Sequence, residues 1–362
     1  MLNRLFRRTQ SEYNFRITPA DTEIRVSSKE TLLQAALNQG VPFPYNCRAG
    51  GCGECKCRLV EGKVKELTDK SYLLSAEEIK ENYILACQSI PKSDVVVEVT
   101  LERGRPEHPI IEISGTITAL KPLTHDILHV EMGLDQPMGY TAGQYAEIII
   151  PAEIKPGASE SRSYSFACAP DQDGQADQLD FFIRKVPGGA FTEWLFNRAK
   201  AGTKLVIRGP YSDFYLRPGT QPIICIAGGS GFAPIKAILE QAHQDKKSTR
   251  DVVFFFGART QDDLYCLDEI EQIRRHWIGR FEFAPILSAE PENSTWQGLR
   301  GLITDHLQVV VGERIAQHQA YLCGPPTMID SCIEELSRGG MNSSQVHFDK
   351  FLDRSHLVNA RL

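Results

Sequence analysis

The sequence predicts a multidomain chain of three consecutive parts: a small segment folded around a cysteine loop, an antiparallel β-barrel, and an α/β domain with a parallel sheet. Three observations carry that reading. Cysteine and glycine crowd together between residues 47 and 55. Short β-prone runs, punctuated by Gly and Pro, fill residues 110–218, as the strands of a small barrel do. Across residues 219–362, nearly continuous apolar runs alternate with amphipathic ones, the pattern of strands buried on both faces between helices. A length of 362 residues suits two or three domains.

The first part spans residues 11–102 and follows a basic tail at 1–10. Phe15 and Ile17, then Ile24 and Val26, alternate with polar residues and predict a hairpin. Leu32, Leu33, Ala36 and Leu37 share a helical face, with Ser28 as the expected cap and Gly40 as the stop. Residues 95–99 predict a strand, and 103–109, with two prolines, a linker. The barrel strands are expected at 113–119, 127–132, 145–150, 163–168, 180–186 and 204–208. The parallel strands are expected at 223–227, 252–257, 281–287 and 320–323.

Composition narrows the function. Forty Lys and Arg against 46 Asp and Glu give a net charge of −6, without the basic excess of a nucleic-acid-binding protein. No run approaches the ~18 consecutive apolar residues that span a bilayer. Ten cysteines are too few for a disulfide scaffold. Six of them (Cys57, Cys168, Cys225, Cys266, Cys323 and Cys332) are scattered as in a reducing cytosol, so a cytoplasmic location is expected. Within residues 1–8, Leu2, Leu5 and Phe6 fall on one helical face, with Arg4, Arg7 and Arg8 largely on the other. Such a face suits anionic lipid at the inner face of the membrane. A solvated terminus is the favoured reading.

Cys47, Cys52 and Cys55 form a C-x4-C-x2-C run with Cys87 as a distant fourth, the plant-type spacing of a [2Fe–2S] cluster. Three ligands from one tight loop need a backbone with little bulk. Gly50, Gly51 and Gly53 provide it and leave N–H groups to bond the sulfurs. Zinc also takes four cysteines, but usually as two C-x2-C pairs, so iron–sulfur is favoured. Cys57 reads as a buried packing residue.

Arg162-Ser163-Tyr164-Ser165 offers what a flavin needs: a cation for the pyrophosphate, an aromatic against the ring and hydroxyls at its edge. Gly188 and Gly189 precede a helical run holding Thr192, and glycines before a helix N-terminus suit a phosphate. Further on, an apolar strand runs into Gly228-Gly229-Ser230-Gly231 and then a helix from near Ile235, the context of a dinucleotide loop. Another strand ends in Cys323-Gly324-Pro325, at the strand ends where such sheets bind ligands. Cys323 either packs near the nicotinamide or is a small buried hydrophobe. Glu290 follows the third strand, where a carboxylate bonds a free ribose hydroxyl and repels a 2′-phosphate. NADH is therefore expected over NADPH, with Arg259 as the cation that could reach the same place.

Cluster, flavin and nicotinamide signatures in this order resemble the ferredoxin–flavin reductase components of bacterial oxygenases. Within that group the chain is similar to the electron-transfer components of xylene and p-cymene monooxygenases. The resemblance rests on Leu299-Arg300-Gly301 after Trp296, on residues 255–259 and 264–270, and on Tyr321 through Pro326. It implies a β-grasp ferredoxin domain, an FAD-binding barrel, an NADH-binding domain and an integral-membrane, non-haem di-iron hydroxylase as partner. Carried over residue by residue, it makes Cys47, Cys52, Cys55 and Cys87 the cluster ligands. Arg162, Tyr164, Ser165, Gly188, Gly189 and Thr192 become flavin residues, with Ser165 at the flavin N5. Gly228, Gly229, Gly231, Cys323, Gly324 and Pro325 line the nicotinamide loops. Either Phe348 or Phe351 places an aromatic against the flavin, with Phe351 preferred. The chain departs from the family at Ser212, where a glycine usually follows Gly209-Pro210-Tyr211.

The implied activity is a relay from NADH through FAD and the [2Fe–2S] cluster to the hydroxylase, carried out by a monomer. Reductases of soluble Rieske dioxygenases or of deoxysugar biosynthesis share this cofactor set. A zinc-structured binding module on a flavin domain is the reading from another class.

Overall fold

The computed structural model describes residues 12–101, 108–154 and 160–351. The basic tail and most of the expected linker lie outside the described residues. Two compact units emerge, one holding residues 12–101 and the other holding 108–351. The barrel and the α/β part, read from sequence as separate domains, thus share one unit.

In the first unit, strands β1 (Glu12–Thr18) and β2 (Thr22–Ser27) form the expected hairpin. Helix α1 (Leu32–Asn38) is followed by the cysteine loop, β3 (Lys56–Glu61) and β4 (Val64–Glu66). Then come α2 (Ala76–Lys80), β5 (Tyr83–Leu85), β6 (Ser89–Pro91) and β7 (Val95–Glu98). The main sheet has the order β2-β1-β7-β3-β5, with β7 parallel to β1. Alternation places Phe15, Ile17, Val95 and Val97 on its buried face, where Leu32, Leu33 and Ala36 of α1 are also buried. Burying each of the Phe, Ile, Val and Leu side chains contributes about 1.5–3 kcal/mol. The cap of α1 differs from expectation. Thr31, not Ser28, accepts from the Gln34 N–H at 3.2 Å. The helix begins later because residues 27–30 form a turn closed by Glu30 N–H to Ser27 O.

The second unit opens with an antiparallel barrel of β8 (Ile111–Pro122), β9 (Ile127–Gly139), β10 (Tyr145–Ile149), β11 (Ser161–Ser165), β12 (Gln175–Arg184) and β13 (Lys204–Tyr211). The order is β11-β10-β13-β8-β9-β12, and an antiparallel bridge between Phe166 and Phe181 closes it. Helix α3 (Ala190–Asn197) inserts Phe191 and Leu195 into the barrel core. Strand β9 runs past the expected end at 132 because its outer half keeps pairing with β12 despite polar side chains.

The α/β part holds β14 (Ile223–Gly228), α4 (Phe232–Gln244), β15 (Val252–Ala258), α5 (Leu267–His276) and β16 (Phe281–Leu287). It continues with β17 (Leu299–Arg300), α6 (Thr304–Val311), β18 (Gln319–Gly324), α7 (Pro326–Arg338) and β19 (Val346–Lys350). All strands are parallel, in the order β17-β16-β15-β14-β18-β19. The chain leaves β14 toward β15 and later returns to its other side as β18, so the topological switch lies between β14 and β18. Residues of α4 and α5 bury one face, and residues of α6 and α7 the other. The two edge strands were not expected: β17 has two residues, and β19 alternates apolar with polar.

Barrel and sheet share a core in which Ile127, Ala142, Ala167, Phe182 and Phe214 pack with α4. Three α4 side chains also bond barrel main chain. Lys236 Nζ donates to Ala167 O at 3.0 Å, Glu240 accepts from Ala169 N–H at 3.1 Å, and Gln241 accepts from Ala142 N–H at 2.8 Å. Lys236 also pairs with Glu240 at 2.6 Å. Among the described residues, no helix is long and apolar enough to cross a membrane.

Candidate functional site

The cysteine loop brings Cys47, Cys52, Cys55 and Cys87 together as two thiol pairs. Cys47 bonds Cys52, and Cys55 bonds Cys87. The N–H groups of Ala49 and Gly51 point at Cys47 Sγ, at 3.4 and 3.3 Å. Gln88 Nε2 reaches Cys87 Sγ at 3.7 Å. The Cys47 thiol is drawn down to about 6, first by the bond from Cys52 and then by these N–H groups, against burial. The Cys52 and Cys55 thiols are pushed up by donating within their pairs and by burial. Among the described residues, the single group of three potential metal ligands whose atoms all lie within 4.8 Å of one another is His125, Asp126 and Asp263. Two pairs fit two bridged irons.

The loop conformation follows from its residues. Gly50 and Gly53 take φ +76° and +80°, and Arg48 is also left-handed at +54°. Arg48 reaches Gln34 Oε1 at 2.6 Å, and the Tyr72 hydroxyl donates to Gly50 O. A Cβ on Gly50 would meet Gln88 Cγ at 2.7 Å. Sequence reading missed these braces, because Gln34, Tyr72 and Gln88 lie outside the motif. Cys57 is buried, and burial raises its thiol, as suits a packing residue.

On the barrel, β11 carries Arg162, Tyr164 and Ser165. Tyr164 lies 6.0 Å from Phe191 of α3, which joins the strand motif to the glycine turn before that helix. Arg162 pairs with Glu160 at 3.3 Å and bonds Ser161 O at 2.7 Å. Ser165 is 6% exposed. The Thr192 hydroxyl accepts from Val186 N–H at 3.1 Å and lies 3.2 Å from Gly189 O, so it braces the turn. Gly188 is left-handed at φ +70°, and a Cβ on Gly189 would meet the Thr192 hydroxyl at 2.8 Å. Ser212, where a glycine is usual, takes φ +96° and accepts from Phe214 N–H at 3.0 Å.

At the topological switch, Gly228, Gly229, Gly231, Cys323, Gly324 and Pro325 converge. A Cβ on Gly231 would stand 2.2 Å from Cys323 O, and one on Gly324 would stand 2.8 Å from Gly228 O. Cys323 has no exposed surface, and burial, followed by the Asp349 carboxylate, raises its thiol. It is a neutral packing group here, and a ligand touches it only if its neighbours move. Phe351 N–H bonds Gly324 O at 2.8 Å. Phe351 packs on the face shared with the barrel, whereas Phe348 packs on the opposite face with α6 and α7. Glu290 stands apart from this convergence. Its carboxylate accepts from the Gln261 backbone at 2.9 Å and side chain at 2.6 Å. Arg300 is held by the carbonyls of Glu290, Pro291 and Trp296.

Three family models match the chain. These are a 2Fe-2S iron-sulfur cluster binding domain at residues 15–92, an oxidoreductase FAD-binding domain at 114–215 and an oxidoreductase NAD-binding domain at 225–334. The xylene/toluene monooxygenase electron transfer component of Pseudomonas putida is 42% identical, over 92% of this chain and 91% of its own. The crystal structure of an Amycolatopsis cytochrome P450 reductase superposes with a TM-score of 0.80 at 32% identity, covering 94% of this chain and 98% of that one. A ferredoxin reductase in carbazole 1,9a-dioxygenase gives 0.74 at 31% identity, covering 95% and 99%.

Proposed function

The chain belongs to the reductase components of bacterial oxygenase systems that join [2Fe–2S], FAD and NAD domains, and from that premise we propose that it serves an integral-membrane, non-haem di-iron hydroxylase. The observation that carries this reading is the 42% identity to a xylene/toluene monooxygenase component, against 32% and 31% for the P450 and dioxygenase reductases. The protein would work as a cytoplasmic monomer.

The residues divide the work. Cys47, Cys52, Cys55 and Cys87 would hold the cluster, and the N–H groups of Ala49 and Gly51 would stabilise the charge on its sulfurs. Arg162 and the turn at Gly188 and Gly189 would bind the FAD pyrophosphate, with Thr192 keeping that turn in shape. Tyr164 would pack on the flavin ring, and the Ser165 hydroxyl would bond its N5. Phe351 would cover the ring from the α/β side. FAD accepts two electrons together and releases them singly, which matches a hydride donor to a one-electron cluster. Gly228, Gly229, Gly231, Gly324 and Pro325 would admit the dinucleotide by leaving backbone without side chains. Glu290, oriented by Gln261, would favour NADH over NADPH.

Anaerobic stopped-flow mixing with NADH tests the relay. Bleaching of the flavin followed by the electron paramagnetic resonance signal of a reduced cluster is expected; flavin bleaching without that signal sinks the scheme. The partner is tested by NADH-driven hydroxylation of an alkylbenzene in membranes that contain a di-iron hydroxylase. Turnover there is expected. Turnover only with a soluble Rieske dioxygenase would assign the chain to that system instead.

A further inference from the structure

We infer that the side-chain amide of Gln88 donates to Cys87 and thereby raises the reduction potential of the cluster, which sets how readily an electron passes to it from the flavin. The inference rests on the [2Fe–2S] reading above and adds a residue outside the ligand motif.

Gln88 is fixed along its backbone. It closes the short turn Ala86–Gln88, and its carbonyl accepts from Leu67 N–H at 2.8 Å. The next residue, Ser89, is buried and donates its hydroxyl to Leu85 O at 2.9 Å. From this anchored turn the side chain runs along Gly50. A Cβ on Gly50 would stand 2.7 Å from Gln88 Cγ, 3.1 Å from Cδ and 3.4 Å from Nε2. Gly50 is held in turn by the Tyr72 hydroxyl, which donates to its carbonyl. The bare glycine thus leaves a lane for the amide, and at the end of it Nε2 lies 3.7 Å from Cys87 Sγ, within reach of an N–H···S bond.

Charge gives that bond its consequence. Four thiolates and two bridging sulfides outweigh two ferric ions, so the cluster is an anion, and an added electron makes it a stronger one. A donor on a ligand sulfur therefore favours the reduced form. The main chain donates to Cys47 from Ala49 and Gly51, and to Cys55 from Cys87. Those donors persist through most substitutions. Gln88 supplies a side-chain donor to the Cys55–Cys87 pair, and substitution can remove it. The charged groups nearby point elsewhere. Arg48 Nη2 bonds Gln34 Oε1 at 2.6 Å, Lys70 pairs with Glu66 at 2.9 Å, Lys56 pairs with Glu78, and Glu30 accepts from Asn38 at 2.7 Å. Lys29 lines the groove beside Cys87 but is exposed to screening solvent.

The test uses the full chain loaded with FAD and cluster, as wild type, Gln88→Met and Gln88→Glu. Methionine keeps the unbranched length that packs on Gly50 and lacks the donor. Glutamate keeps the shape and adds a carboxylate. Anaerobic redox titration follows the electron paramagnetic resonance signal of the reduced cluster and the visible bands of the flavin. In Gln88→Met the oxidised cluster should gain about 3- to 10-fold over the reduced one, as for one modest hydrogen bond. That is ~30–60 mV at 59 mV per tenfold for one electron. Gln88→Glu should shift the cluster further in the same direction, and the flavin potentials should match the wild type in both variants. A wild-type cluster potential in Gln88→Met overturns the inference, since it marks Gln88 as a packing residue only. A Gln88→Glu cluster no harder to reduce than the wild type also overturns it. A wild-type chain with no reduced-cluster signal under dithionite overturns the cluster reading, and the inference with it.

Discussion

The cysteine loop and the nucleotide crevice are both rich in glycine, yet they need it for different reasons. Gly53 in the loop sits at φ +80° with nothing within 4 Å of a Cβ. Gly231 in the crevice has an ordinary φ of −63°, but a Cβ there would stand 2.2 Å from Cys323 O. The first glycine is a matter of backbone conformation, and the second of distance between two strands. A motif that lists glycines hides this difference. The loop turns on its own left-handed residues and is braced from outside by Gln34, Tyr72 and Gln88. The crevice exists only once β14 and β18 lie side by side.

The largest expected break in the comparison comes from the loop. Cys87→Ala should abolish the cluster absorption while NADH still reduces the flavin, measured by visible spectra with ferricyanide as acceptor. Gly231→Ala should do the reverse. Overpacking of about 3 kcal/mol or more should remove NADH reduction and leave the cluster spectrum intact. Lys236→Met probes the frame behind the crevice. It should cost about 2 kcal/mol in a denaturant titration, below the figure for a fully buried pair because Glu240 keeps some water contact.

His347 gives the crevice side a pH dependence. Burial lowers its pKa from 6.5 to about 4. The unfolded chain therefore takes up the proton first, and stability falls as pH drops from 6.5 toward 4. The loss should be on the order of 1 kcal/mol at pH 5, and His347→Phe should flatten that part of a melting-temperature profile. Gly53→Ala should show the smallest effect, about 1 kcal/mol, from left-handed backbone alone. A cost as large as that of Gly231→Ala would mean that Gly53, too, is held by crowding rather than by backbone conformation.

Legibility followed the same division. The cysteine loop was readable because Cys47, Cys52, Cys55 and the glycines between them lie within nine residues. The central strands of the parallel sheet were readable because burial on both faces leaves almost unbroken apolar runs. What stayed hidden depends on residues far apart in the chain. Thr192 reads as a flavin residue in sequence, and only the fold shows that its hydroxyl also braces the turn it follows. The cap at Thr31 was missed because several Ser and Thr residues precede the apolar face, and the local turn decides among them. Ser212 shows the converse, since a left-handed position kept a residue other than glycine by giving its hydroxyl a backbone partner.

The three bonds from α4 to Ala142, Ala167 and Ala169 all end on main-chain atoms. A main-chain partner survives most substitutions, so barrel side chains at the seam are free to vary while the grip persists. Cutting the chain between barrel and sheet would strip Lys236 and Glu240 of their bonds and expose the shared core. A cut before residue 108 touches none of these bonds. The chain is therefore best divided for engineering into two exchangeable cassettes, a cysteine-loop cassette and an undivided flavin–nicotinamide cassette.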